Sequence, residues 1–168
     1  NVQNTTRDLT PVFESFAEVS RGSSDLAMAN AASRLRMVML YSIANTGNLV
    51  VVGTGNKVED YGIGFFTKYG DGGVDISPIA DLLKSEVRTM ARHLGVSSDI
   101  LFATPTDGLW GDNRSDETQI GASYEELEWA LDYYDDHKNK TGGLSLRQKE
   151  VLLIYTERHL KNRHKLQT

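Results

Sequence analysis

Between Leu49 and Lys84 the sequence gathers residue types that suit an anionic, metal-bearing ligand. Glu59 is a hard oxygen donor of the kind Mg2+ takes, and Lys68 and Lys84 are point charges for phosphate. Gly70, Gly72 and Gly73 let backbone approach a ligand closely, and the Thr54 hydroxyl is free to bond a nucleotide. Positioning them falls to the apolar, β-branched run Leu49-Val50-Val51-Val52, which is short, continuous and bounded by Gly53, and so reads as a strand buried on both faces. Loops at the ends of such strands in an open α/β sheet converge on a crevice where ligands sit.

The elements around this run follow from periodicity and capping. Thr10 as cap and Pro11 at the first helical position predict a helix to Val19, with Val12, Phe13, Phe16 and Ala17 at helical spacing. Ser24 or Asp25 can cap a longer helix from about Leu26 to Ala44, whose apolar positions are too many for one narrow stripe and predict burial on more than one side. Arg34 and Arg36 stand out there. Two residues apart they point in different directions, and the plain reading is that each snorkels or pairs with a carboxylate. Helix, tight turn at Asn45–Asn48 and buried strand make half of an α/β unit, for which a parallel sheet is the natural container.

Downstream, Phe65 and Phe66 either stack on a ring of a ligand or pin the following polar loop to the core. Ser77-Pro78 predicts a helix through Leu94 closed by Gly95, and Ser97 to Phe102 a short one. Trp110 to Gly121 reads as a polar surface loop and a candidate lid. Ser123 and Glu126 form a capping box for the next helix, which ends in a solvated Asp135-Asp136-His137 with no second histidine at ligand spacing. Leu144 to Leu160 is a final helix leading into a basic tail.

The segments GTGNKVE at 53–59 and GFFTKYGDGGVDISPIADLLK at 64–84 resemble the C-terminal half of the ammonia-dependent NAD synthetases, and flanking matches extend the resemblance over most of the chain. It implies an α/β fold, the Rossmann-like adenine nucleotide alpha hydrolase (ATP pyrophosphatase) fold with a parallel sheet flanked by helices. Residues 1–168 would form a single NAD synthetase domain whose Ser-Gly-Gly-x-Asp-Ser pyrophosphate loop is expected upstream of Asn1. On matching positions the resemblance implies that Thr54, Lys84 and Thr106 contact ATP and that Glu59 binds Mg2+. It likewise assigns Arg34, Lys68, Asp75, His164 and Lys165 to deamido-NAD+. Arg34 is carried by Asn30-Ala31-Ala32-Ser33-Arg34-Leu35-Arg36-Met37, and His164 and Lys165 by Arg163-His164-Lys165. The interval Asp60 to Ile63 departs from the pattern by one residue. Asp116-Glu117 match an acidic pair, without an assigned role. The helix 11–19 would help form a homodimer interface, although core packing accounts for it as well.

The implied reaction is ATP-dependent amidation of deamido-NAD+ by ammonia through an adenylated carboxylate, releasing AMP and pyrophosphate. No residue is identified as a general base. The chain carries no glutaminase sequence. A truncated, catalytically inactive homologue that holds an adenine dinucleotide is the competing reading, favoured by the absent phosphate loop.

Composition narrows the classes further. A chain of 168 residues with 39% hydrophobic and 24% charged content matches an ordinary globular domain. The absence of cysteine excludes disulfides, thiolate zinc sites and a cysteine nucleophile, and fits a reducing cytoplasm. No run approaches the roughly 20 apolar residues of a membrane span. A net charge of −5 argues against a general nucleic-acid surface.

Overall fold

In a computed structural model, which describes residues 4–137 and 141–166, the C-terminal helices form the core and the site leans on them. The helices are α1 (Thr10–Val19), α2 (Asp25–Gly47), α3 (Lys84–His93), α4 (Ser98–Leu101), α5 (Asp116–Ile120), α6 (Tyr124–His137) and α7 (Leu146–Asn162). A π-helical turn occupies Val58–Ile63, and a 3-10 turn Arg163–Leu166. Leu127, Ala130 and Leu131 of α6 face Val151 and Tyr155 of α7, the i, i+3, i+4 spacing that puts apolar side chains on one stripe. Val58 and Ile63 of the π turn complete this cluster.

The start of α6 forms as its sequence predicts. Ser123 N–H donates to Glu126 Oε2 at 2.9 Å and Glu126 N–H donates to Ser123 Oγ at 3.2 Å, satisfying two amides that the helix itself cannot. Arg147, in the first turn of α7, grips the same Glu126 carboxylate with Nε and a terminal nitrogen, each at 2.7 Å, so both helix starts are tied together. The final helix begins at Leu146, two residues later than expected, because Ser145 and Gln148 form its capping box.

Three expectations are corrected. The parallel sheet is not formed: among the described residues strand pairing reduces to one parallel bridge between Val52 and Ile76. Gly53 N–H donates to Ile76 O at 2.7 Å and Asp75 N–H to Val51 O at 2.9 Å. Only Val51 of the run is buried, while Leu49, Val50 and Val52 are exposed, since a strand is enclosed only when neighbours flank both edges and helices cover both faces. Second, α2 is capped by Ser24, one of the two expected candidates, but buries only Ala29, Ser33 and Ala44, leaving Leu26, Val38, Leu40 and Ile43 exposed. Its inner face is a row of small residues onto which backbone packs. Third, the helix expected from Ser77 starts at Lys84. Leu83 is extended and the Glu86 carboxylate takes its N–H at 2.8 Å, a cap that sets the boundary there, while Gly95 at φ +74 does close the helix.

Two smaller differences concern caps. Thr10 lies inside α1, and its amide is satisfied by Asp8 Oδ1 at 2.9 Å rather than Thr10 capping the helix itself. The 110–121 stretch is not all loop, because Ser115 caps α5 within it.

Candidate functional site

The geometry of Glu59 is set by Asn56 and the π turn. Asn56 is buried, and its Oδ1 accepts from the amides of Val58 and Glu59, both at 3.1 Å, which bends the chain out of extended structure. Lys57 O then accepts from Gly62 N–H at 2.9 Å, five residues on, the wide turn that recurs at functional sites. Gly62 fits because a Cβ there would sit 3.3 Å from the Tyr155 ring.

This turn delivers Glu59 to the first residue of α3. Lys84 Nζ lies 2.8 Å from Glu59 Oε1, with side-chain exposures of 22% and 15%, so the pair is sheltered but reachable. Tyr124 OH donates to the same Oε1 at 2.5 Å, and the Lys84 ammonium sits 4.8 Å from the Tyr124 ring centroid. Behind the tyrosine, Asp116 Oδ2 lies 3.2 Å from its hydroxyl, while Asp116 Oδ1 is buried with no hydrogen-bond partner among the described residues. Burial, and then the Glu59 carboxylate, push the Tyr124 phenol up, so it stays protonated. Burial also raises Asp116, against the lowering effect of the Tyr124 bond. Next to Glu59, burial raises Asp60 to about 6, with the carboxylates of Glu59 and Asp71 adding to it.

The other two residues expected at ATP stand apart. Thr54 is exposed just beyond the Val52 bridge, and Thr106 is exposed in the segment before α5. Neither is hydrogen-bonded to Glu59 or Lys84. Thr106 is nevertheless tethered close by in the bonding network, because Pro105 O accepts Asp116 N–H at 3.0 Å.

Four of the five residues expected at the dinucleotide do converge. Arg34 Nε donates to Lys68 O at 3.1 Å, and Lys68 Nζ donates to His164 O at 3.0 Å. Lys165 Nζ donates to Gly64 O at 2.7 Å and Phe66 O at 2.6 Å, and burial pulls its pKa down. The loop 64–70 is thus held from both sides by cations of α2 and the 3-10 turn. Asp75 lies elsewhere, accepting from Tyr41 OH at 3.0 Å and from Val51 N–H at 2.7 Å. A groove of about 800 Å3 between α2, this loop and α7 is lined by Lys165, Arg158 and Phe66 among others. A second, of about 990 Å3, lies between α1, α2 and 108–114.

Sequence reasoning missed the residues that hold these groups. Ser33 Oγ donates to Asp71 Oδ1 at 2.9 Å and accepts Asp71 N–H at 3.0 Å, and Thr67 Oγ1 donates to Asn30 Oδ1 at 2.7 Å. The loop glycines serve this packing: Gly70 lies against Ser33, Gly72 against the Phe66 ring and Gly73 against Met37. Tyr124 was legible only as a helix start, and the pattern Asp116-Glu117 with Tyr124 beyond it was the available signal.

Among the described residues no cluster of three acidic, histidine or cysteine side chains could cage a metal ion. A Mg2+ that arrives with phosphate needs less, commonly one or two carboxylates with substrate oxygens and water. Glu59 fits that role, because both of its side-chain contacts fall on Oε1 and Oε2 makes no hydrogen bond among the described residues.

A family model described as NAD synthase matches residues 1–168. The chain is 44% identical over 125 residues to the NH(3)-dependent NAD(+) synthetase of Mesoplasma florum, covering 72% of this chain and 50% of that one. To the protein of the same description from Methanococcoides burtonii it is 50% identical over 110 residues, 66% of this chain and 41% of that one. It therefore spans about half the length of the curated relatives it matches. Among solved structures it resembles an NMN synthetase from Francisella tularensis with a TM-score of 0.83 and 33% identity, over 99% of this chain and 65% of that one. An NH3-dependent NAD synthetase from Campylobacter jejuni gives 0.73 at 24% identity, over 96% and 62%, a likeness of fold alone. These neighbours have the Rossmann-like nucleotide alpha hydrolase fold.

Proposed function

We propose that this chain, which belongs to the NAD synthase family, contributes the metal and dinucleotide ends of a site that amidates deamido-NAD+ with ammonia and ATP. The Glu59–Lys84 contact carries this reading. A carboxylate and an ammonium 25 residues apart in sequence meet at 2.8 Å in a sheltered position, each neutralising the other until a metal phosphate replaces both partners. The names of the relatives support the ligase chemistry.

A carboxylate is a poor electrophile, so activation must come first. One carboxylate oxygen of the substrate attacks the α-phosphorus of ATP, and pyrophosphate leaves. The ammonia lone pair then attacks the carbonyl carbon of the adenylate, the bond to AMP breaks, and a proton passes to solvent. A Mg2+ held by Glu59 Oε2 would neutralise charge on the phosphates. The residues themselves position and compensate charge. Lys84, freed from Glu59, meets phosphate, and Thr54 and Thr106 offer hydroxyls to the nucleotide. Arg34, Lys68, His164, Lys165 and Asp75 address the dinucleotide. Turnover also requires a phosphate-cradling loop, and residues 1–168 contain no Ser-Gly-Gly-x-Asp-Ser stretch.

The exposed Phe16 and Val19 of α1 and Leu26, Val38 and Leu40 of α2 support assembly as a homodimer, and a monomer mass by light scattering would refute it. Among the described residues no helix is long and apolar enough to cross a membrane.

A second reading, amidation of nicotinate mononucleotide, is favoured by the likeness to the Francisella protein over nearly the whole chain. Assaying AMP release with ATP, Mg2+, ammonia and either acid distinguishes the two. Glu59→Gln should lower turnover about 100-fold or more, the scale of losing a charge-stabilising group, with the fold intact. These assays use a protein in which a phosphate-cradling loop is present: undiminished turnover of Glu59→Gln returns Glu59 to a surface charge, and no turnover from the unaltered protein with either acid leaves the inactive dinucleotide-binding homologue.

A further inference from the structure

Glu59 does not hold its own orientation. It stands on a single π turn, and a free glutamate side chain samples several rotamers. What fixes it is Tyr124, the first residue of α6 and 1% exposed. We infer that Tyr124 is a positioning residue for Glu59, braced by α5, so that the carboxylate meets its cation with Oε1 already pinned and Oε2 presented. The inference rests on the assignment of Glu59 as the Mg2+ ligand.

The hydroxyl has one proton and two carboxylate oxygens in reach. It goes to Glu59, at 2.5 Å, rather than to Asp116, at 3.2 Å. Asp116 then serves as a wall: its backbone amide is tied to Pro105 O at 3.0 Å, and the neighbouring Glu117 takes Tyr124 N–H with Oε1, also at 3.0 Å. Of these two consecutive acids of α5, Glu117 holds the tyrosine at its amide and Asp116 stands against its hydroxyl. The ring does a second task, since its face lies 4.8 Å from the Lys84 ammonium. One side chain touches both members of the pair on which the site depends.

A purely structural tyrosine would make the same ring contacts with the core, so the test must remove the hydroxyl and keep the ring. Mn2+ binding in the presence of ATP, read by electron paramagnetic resonance on the purified protein, reports the site without turnover. Tyr124→Phe should weaken Mn2+ about 10-fold, as loss of a ligand-orienting group does, while its thermal unfolding stays near that of the unaltered protein. Asp116→Asn should weaken Mn2+ in the unaltered background and add nothing in Tyr124→Phe, because it acts only through the hydroxyl. Should Tyr124→Phe fail to fold, Asp116→Asn alone decides, and unchanged affinity in it overturns the inference. Glu59→Gln is the control that separates the two claims. If it abolishes binding while Tyr124→Phe leaves binding unchanged, the positioning role falls and the metal assignment stands. If Glu59→Gln itself changes nothing, or the unaltered protein binds no Mn2+, the metal assignment falls and the inference falls with it.

Discussion

Replacing Gly70 by alanine tests whether α2 holds the loop that carries Lys68. A Cβ at Gly70 would lie 2.3 Å from Ser33 Oγ and 2.9 Å from the Cβ atoms of Ser33 and Thr67. The position has no left-handed φ, so the cost is steric rather than conformational. Ser33 cannot turn aside freely, because its hydroxyl both donates to and accepts from Asp71. Losing those two bonds costs about 2 kcal/mol, and residual overpacking adds about 1 kcal/mol. The reduced freedom of alanine in the unfolded chain returns about 0.5 kcal/mol, leaving a net loss of about 2.5 kcal/mol. Urea unfolding followed by circular dichroism measures it, as a fall in midpoint at constant slope. The companion Ser33→Ala removes the worst clash and the same two bonds, so the double variant should be more stable than the sum of the two losses predicts by about 1–2 kcal/mol. A Gly70→Ala protein within about 0.5 kcal/mol of the unaltered one, or a strictly additive pair, would refute the packing argument.

Asp60 supplies a pH prediction. Its folded pKa of about 6 exceeds the ordinary 3.8, so its protonated form is favoured in the fold and its contribution to stability falls as pH rises from about 4 to about 6. Allowing for solvent at a partly exposed carboxylate, Asp60→Asn should gain about 1–2 kcal/mol at pH 7 and nothing at pH 4, and parallel stability curves would contradict this. Tyr155 is fully buried with a hydroxyl that has no hydrogen-bond partner among the described residues. Tyr155→Phe should therefore leave thermal stability unchanged or raise it by about 1 kcal/mol, and a clear loss would mean the hydroxyl is satisfied in solution.

Local signals were legible where a residue acts on its own neighbours. Ser24 and the Ser123–Glu126 box placed two helix starts because caps bond within three residues. Long-range partners decided the rest. The β-branched run at 49–52 predicted a buried strand, yet burial depends on what lies alongside, and among the described residues only 75–76 pair with it. Glu59, Lys84, Arg34, Lys68 and Lys165 were found from a family pattern; their contacts with Tyr124, with the His164 carbonyl and with the carbonyls of Gly64, Phe66 and Lys68 span 34 to 101 residues and leave no mark in spacing, and the Glu59–Lys84 pair spans 25. Ser33 escaped notice because a small polar residue inside an apolar helix looks like filler until a glycine loop is laid on it.

The isolated bridge between Val52 and Ile76 makes Asp75 a stopper as well as a candidate binding group. A half-finished β-ladder is sticky: its open amides and carbonyls recruit any extended chain that drifts past. At Val51 the donor is plugged by a side chain, Asp75 Oδ2 at 2.7 Å, standing where a neighbouring strand's carbonyl would otherwise dock. Under the proposed assignment of Asp75 to the dinucleotide, a ligand that takes this carboxylate would leave the Val51 amide to find another acceptor.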